Sequence, residues 1–198
     1  MKLVLATQNP KKLKEMNEIL SHLGVEVVSE AELGVRIEVE ETGETFTDNA
    51  RLKAMAVMRA TGLPAVADDS GLCVDALNGG PGVYSARFGG EGLDDKGRYT
   101  LLLEMLRGQT DRAAHFHTSI VCAFPNGDEL VCEGERPGTI AFAPMGEGGF
   151  GYDPVFFVPE LRKTFGQLTA EEKASVSHRG KALRAFAAAL DDYLKGNE

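Results

Sequence analysis

The chain has 198 residues, 43% apolar and 26% charged, with a net charge of −9 at pH 7. This composition suits a globular protein with a sizeable core, and the acidic balance excludes a broad basic face for long nucleic acid. No apolar run is long enough to cross a membrane and Met1–Ala6 is too short for a signal peptide, so a cytoplasmic protein without a membrane partner is expected.

Lys2–Ala6 reads as a first strand. Leu13, Met16, Leu20 and Leu23 recur at helical spacing, which predicts a helix over Pro10–Leu23 stopped by Gly24. Glu26–Ser29 is a short second strand, and residues 30–46 are acidic and irregular. A second helix is expected over Asp48–Thr61, ending at Gly62, and Ala65–Ala67 is a third strand. This alternation favours an α/β sheet. A Gly-rich loop, Asn78–Gly92, leads to a helix near Asp94–Leu106. Ala113–Phe124 and Glu129–Glu135 then flank Pro125-Asn126-Gly127-Asp128, a hairpin signal, and a further strand is expected near Gly138–Ala143. Thr169 with Glu172 has capping-box spacing, and Leu183, Phe186, Leu190 and Leu194 mark one face of a final helix. No repeat, low-complexity linker or domain boundary is visible, so residues 1–198 are expected to form a single domain. Its fold class is α/β, with a long mixed central sheet and flanking helices.

Four stretches carry candidate chemistry. In "ATQNPKKLKE" a strand gives way to a helix within four residues, so free N–H groups and Lys11, Lys12 and Lys14 could receive an anion; the same residues read equally as a helix cap with a solvated lysine face. "EVEETGETF" is a charge run whose value rises only if it meets Asp68 and Asp69, which follow the apolar Ala65–Ala67. Two adjacent carboxylates at a strand tip resist desolvation unless positive charge joins them. "GEGGFGYDP" formally matches GxGxxG, but no helix start follows. A loop presenting Phe150, Tyr152 and Asp153 is the better reading, with an exposed aromatic able to stack on a base; as turn residues these aromatics would plug the core. Finally, Lys173, His178, Arg179 and Lys181 gather donors near the start of the last helix. His115 and His117 share a strand face without a third ligand, so no metal role is expected there. Arg87 reads as a phosphate clamp or an exposed loop arginine. Cys73, Cys122 and Cys132, odd in number and without CxxC spacing, read as small core residues.

Taken together and in order, "LATQNPKKLKE", "EETGETFTDNARLKA", "ADDSGL", "GGPGVYSARF", "GGFGYDPVF" and "EEKASVSHRGKAL" resemble the inosine triphosphate pyrophosphatase family, the non-canonical purine nucleoside triphosphate pyrophosphatases. The resemblance spans nearly the whole chain. It implies a homodimer of two-lobed subunits, each with an active-site cleft, that hydrolyses ITP, dITP and XTP to the monophosphate and pyrophosphate with Mg²⁺. Carried onto this sequence, it places the triphosphate on the turn Thr7, Gln8, Asn9, Pro10, Lys11 and Lys12, with Lys53 as a further neutraliser. Gln8 departs from the small residue expected there. The metal falls to Glu40 and Asp69, with Glu41 as the fallback for Glu40. Asp69 is the water-activating base, although Asp68 stands equal to it on the residues alone, and Ser70 bonds the ligand. Phe150 stacks on the purine within the loop that continues through Gly151 and Tyr152, Asp153 orders the pocket, and Lys173, His178 and Arg179 face the 6-keto oxygen. Two other readings use the same residues: a nucleotide-binding module without catalysis, and a nucleotidyl transferase that passes the nucleotide to an acceptor other than water.

Overall fold

The computed structural model describes residues 1–7 and 9–196. In chain order its elements are β1 (Lys2–Leu5), α1 (Pro10–Leu20), β2 (Glu26–Ser29), α2 (Phe46–Thr61), β3 (Ala65–Val74), α3 (Asp95–Met105), β4 (Ala113–Ala123), β5 (Glu129–Ile140), β6 (Phe156–Val158), β7 (Lys163–Thr164), α4 (Ala170–Val176) and α5 (His178–Gly196). The strands form one sheet in the order β2-β1-β3-β4-β5-β6-β7. β1 runs parallel to β2 and β3, whereas β6 runs antiparallel to β5 and β7, so the sheet is mixed.

The contacts divide the chain into two compact units. The first contains Met1–Asp69, Thr118–Glu133 and Lys181–Glu198. In it the period-2 alternation of the strands builds two apolar faces. Leu3, Leu5 and Val66 pack with Met16 and Leu20 of α1 and with Phe186 and Leu190 of α5. Val4, Ala65 and Ala67 instead join the clusters that contain Ala50, Ala54 and Val57 of α2. The second unit contains Ser70–His117 and Gly134–Gly180. Its core gathers Leu72, Val74, Phe116, Phe156 and Phe165, with the Phe116 and Phe156 ring centroids 4.6 Å apart.

Three expected boundaries shift. The first helix ends at Leu20, and a 3₁₀ turn over Ser21–Leu23 carries the chain to Gly24, whose φ of 66° suits a residue without Cβ. The third strand does not stop at Ala67 but continues to Val74. The separate strand expected at 138–143 is the end of β5, which runs through Pro137 to Ile140. There β5 approaches β6 so closely that a Cβ on Gly138 would lie 2.6 Å from the Phe157 carbonyl oxygen.

The N-terminus of α2 is set locally. Thr45 accepts a hydrogen bond from the Asp48 amide at 3.1 Å and donates to Asp48 Oδ2 at 2.7 Å. Thr45→Ala leaves that amide without its cap and should cost about 1 kcal/mol. Urea titration should show a lower midpoint with an unchanged slope.

Candidate active site

In the first unit, Val66 faces the α1 and α5 cluster while Ala65 and Ala67 face α2. The same alternation sends Asp68 and Asp69 to opposite faces of β3. Lys12 of α1 donates to Asp68 Oδ2 at 2.7 Å, and Lys53 of α2 donates to Asp69 Oδ1 at 3.2 Å. The aspartates are therefore mid-strand residues, each with its own ammonium, and not a carboxylate pair at a strand tip. Extended backbone separates two neighbouring charges that a turn would have crowded together.

Asp69 is the more elaborately held. Lys53 Nζ also donates to Glu41 Oε1 at 2.8 Å, so one ammonium joins two carboxylates. Asn49, one helical turn before Lys53 on α2, donates to Asp69 Oδ2 at 3.3 Å. Burial pushes the Asp69 carboxyl above its ordinary value and Glu41 adds to the rise, while Lys53 and Asn49 act against it. Burial pulls the Lys53 ammonium down, but Asp69, Glu41 and Asp68 outweigh it, and the net direction is upward. Glu40 is exposed, and Glu41 is the residue of this pair that reaches Lys53.

The turn before α1 is tied by two local bonds. The Asn9 amide donates to Thr7 Oγ1 at 3.2 Å, and the Lys12 amide donates to the Asn9 carbonyl at 3.1 Å. Pro10 and Lys11 open α1. Gln8 lies outside the described residues. Ser70 follows Asp69 on β3 and is half-buried.

The second unit holds the aromatic loop. Phe150 is 68% exposed, and Lys173 Nζ stands 4.4 Å from its ring centroid, a cation–π contact. Lys173 also makes a short bond to Asp153 Oδ2, which accepts the Phe150 amide at 2.9 Å. Burial raises the Asp153 carboxyl, and Lys173 opposes the rise. Of the three side chains expected on a presenting loop, only Phe150 is exposed. Tyr152 and Asp153 are buried, and the Tyr152 hydroxyl donates to the Ser85 carbonyl at 2.7 Å. Their role is internal bracing, because burying a hydroxyl and a carboxylate requires fixed partners. The Gly151 amide donates to Asp95 Oδ2 at 2.7 Å, an anchor not foreseen from the sequence. His178 is buried with its ring stacked on Phe116, centroids 4.7 Å apart, and Arg179 follows it in the first turn of α5.

A family model described as the Ham1 family matches residues 3–189. The chain belongs to the Ham1 family. Among similar proteins, one from Exiguobacterium sp. (strain ATCC BAA-1283 / AT1b), named dITP/XTP pyrophosphatase, is 50% identical over 196 residues, covering 99% of this chain and 100% of its own length. Among solved structures, a HAM1 protein from Coxiella burnetii is 43% identical with a TM-score of 0.93, covering 97% of this chain and 99% of its own. The Staphylococcus aureus Ham1 protein is 41% identical with a TM-score of 0.92, and each chain is covered in full.

Two residues that hold candidate-site groups in this Ham1 chain, Asn49 and Asp95, are not singled out by its sequence. Asn49 falls within the helix expected over Asp48–Thr61, and its i, i+4 relation to Lys53 is a usable signal. Asp95 lies in the helix expected near Asp94–Leu106, and its bond to Gly151 spans 56 residues, which no local pattern signals.

Proposed function

We infer that the chain hydrolyses non-canonical purine nucleoside triphosphates, ITP, dITP and XTP, at the α-phosphorus. The products are the nucleoside monophosphate and pyrophosphate. The observation that carries this reading is the half-buried Asp69 carboxylate, held by Lys53 and Asn49 with Glu41 alongside. The name dITP/XTP pyrophosphatase, borne by relatives about as long as this chain, supports it.

Asp69 is the base. It takes a proton from water as the water oxygen bonds to the α-phosphorus and the bond to the bridging oxygen of the β-phosphate breaks. The bonding pair leaves with pyrophosphate. Lys12 and Lys53 counter the negative charge, so catalysis is positioning plus neutralisation.

Among the described residues no three or more His, Cys, Asp or Glu side chains gather to hold a metal by themselves. The donor chemistry nonetheless fits Mg²⁺, which binds through one or two carboxylates completed by substrate phosphates. Asp69 and Glu41, already sharing one cation in Lys53, are the residues that would hold it, with Glu41 taking the place expected of Glu40. When bound, Mg²⁺ supplies charge neutralisation on the phosphoryl oxygens.

For the base, Phe150 offers an exposed ring face. Lys173, His178 and Arg179 supply donors for the 6-keto oxygen of hypoxanthine and xanthine. Adenine presents an amine there, so donor would face donor, and a site built to hydrogen-bond rejects such a mismatch strongly. Phe150→Ala should raise KM for ITP about tenfold, within the range for loss of one base–aromatic stack. Its kcat should change little and its melting temperature should hold, because the ring is mostly exposed.

We further propose that the two units act as one catalytic domain and that the protein is a cytoplasmic homodimer. No helix among the described residues is long and apolar enough to cross a membrane. Sedimentation at micromolar concentration tests the dimer. Product analysis tests the reaction, using Mg²⁺ with ITP, dITP, XTP, ATP, GTP and dTTP. Monophosphate with pyrophosphate from the first three is expected. Diphosphate with orthophosphate would move attack to the γ-phosphorus and overturn the mechanism, and nucleotide transfer to another acceptor would make the enzyme a transferase.

A further inference from the structure

We propose that Asn49 is a positioning residue for the reaction, locking the orientation of the Asp69 carboxylate and tying the acidic segment before α2 to it. The inference rests on Asp69 being the base, as argued above, and adds a residue to that assignment.

Asn49 has no exposed surface. Its side chain makes two bonds of opposite sense. Nδ2 donates to Asp69 Oδ2 at 3.3 Å, and Oδ1 accepts the Gly43 amide at 2.8 Å. The amide orientation is unambiguous, because a backbone N–H only donates and an ionised carboxylate only accepts. No other residue of this size offers a donor and an acceptor in one plane. Aspartate would turn a second carboxylate on Asp69, and leucine would leave both partners without their bonds.

The geometry makes the contact an orienting one. Lys53 holds Asp69 Oδ1 and Asn49 holds Oδ2, so each carboxylate oxygen has its own donor. Both donors come from α2, four residues apart, on a helix whose start is fixed by Thr45. A carboxylate held at one oxygen can rotate about its last bond; held at both, it presents fixed lone pairs to the water it activates. Gly43 explains why the acidic segment takes part. A Cβ there would lie 2.7 Å from Asn49 Oδ1 and 2.6 Å from Asp48 Cβ, so the loop backbone rests directly on α2. Glu41 lies two residues before this contact and reaches Lys53. Asn49 therefore connects both neighbours of the Asp69 site, the carboxylate itself and the loop that delivers Glu41.

The test is a double-mutant cycle with dITP and Mg²⁺, using wild type, Asn49→Leu, Asp69→Asn and the pair, each read as separate kcat and KM. Asn49→Leu should lower kcat about ten- to a hundredfold, the scale of a misplaced reacting group, with KM within about threefold. In the Asp69→Asn background the same change should lower the residual kcat less than about twofold, because the group it positions has gone. Asn49→Ser serves if the leucine variant does not fold. Amide hydrogen exchange supplies a readout apart from turnover: residues 42–44 should exchange faster in the Asn49 variants and unchanged in Asp69→Asn. Equal losses of kcat in both backgrounds, a loss confined to KM, or unchanged turnover would overturn the inference. A wild-type chain inert toward every triphosphate would overturn the hydrolase reading and this inference with it; an active wild type beside an unaffected Asn49→Leu overturns this inference alone.

Discussion

Asp69→Asn should abolish nearly all turnover of dITP while leaving the fold intact. Asparagine keeps the shape and can still accept from Lys53 or Asn49, but it cannot take a proton from water. Loss of a positioned general base costs about 10²- to 10⁴-fold. The stability side has the opposite character. Burial raises the Asp69 carboxyl in the folded chain, so the folded state holds that proton more tightly than the unfolded chain does. The stability this linkage provides is present below the ordinary carboxylate value and is lost as pH rises through the raised one. At neutral pH burial disfavours the ionised group, which offsets the bond that Asp69→Asn loses, so the melting temperature should change little. The wild-type rate has a matching pH dependence. The base works only when ionised, so kcat/KM should fall as pH drops through the titration of this carboxyl. A variant retaining more than about a tenth of the rate would show that Asp69 is not the base.

Gly146→Ala should be strongly disruptive for a single added methyl group in the aromatic loop. Gly146 has φ +82°, and a Cβ there would lie 2.2 Å from both the carbonyl carbon and oxygen of Gly166. The obstacle is backbone, which cannot swing aside as a side-chain tip can. Gly166 is itself hemmed in: a Cβ on it would meet the Met145 carbonyl oxygen at 2.8 Å. The two glycines are thus a paired close approach, braced by Thr164 Oγ1 donating to the Met145 carbonyl at 2.6 Å. Gly151→Ala is the control, since Gly151 also has a positive φ, +59°, but nothing within 4 Å of its would-be Cβ. It should cost about 1 kcal/mol, the penalty of a left-handed backbone alone. Gly146→Ala adds the collision and should cost roughly 3 kcal/mol or more. Chemical denaturation of both variants checks this, and equal losses would remove the close approach from the argument. Because the loop continues to Phe150, discrimination between ITP and ATP should also fall in Gly146→Ala.

Much of this arrangement could be read before any coordinates. The alternation of apolar strands and helices, the Asn-Gly hairpin and the Thr169 capping box depend on neighbours within a few residues, and each recurs in the structure. The residue types available for chemistry were equally legible, because carboxylates, lysines and an aromatic in a Gly-rich loop restrict what a site can do. Boundaries fared worse where long-range partners decide them. β3 passes through two aspartates to Val74 because Lys12 and Lys53, 56 and 16 residues away, neutralise them.

The sequence by itself determined most of the elements, their order and the residue types available for chemistry, since propensity, periodicity and charge act locally along the chain; the short strands β6 and β7 carried no such local signal. Tertiary structure decided which face each residue meets. It sent Asp68 to Lys12 and Asp69 to Lys53, brought Glu41 to that lysine, turned Tyr152 inward and left Phe150 outside, and made Asn49 a partner of the carboxylate. The physical reason is the same in each case. A buried polar group is stable only beside a complementary one, and that partner is supplied by packing between distant elements, which local pattern does not encode.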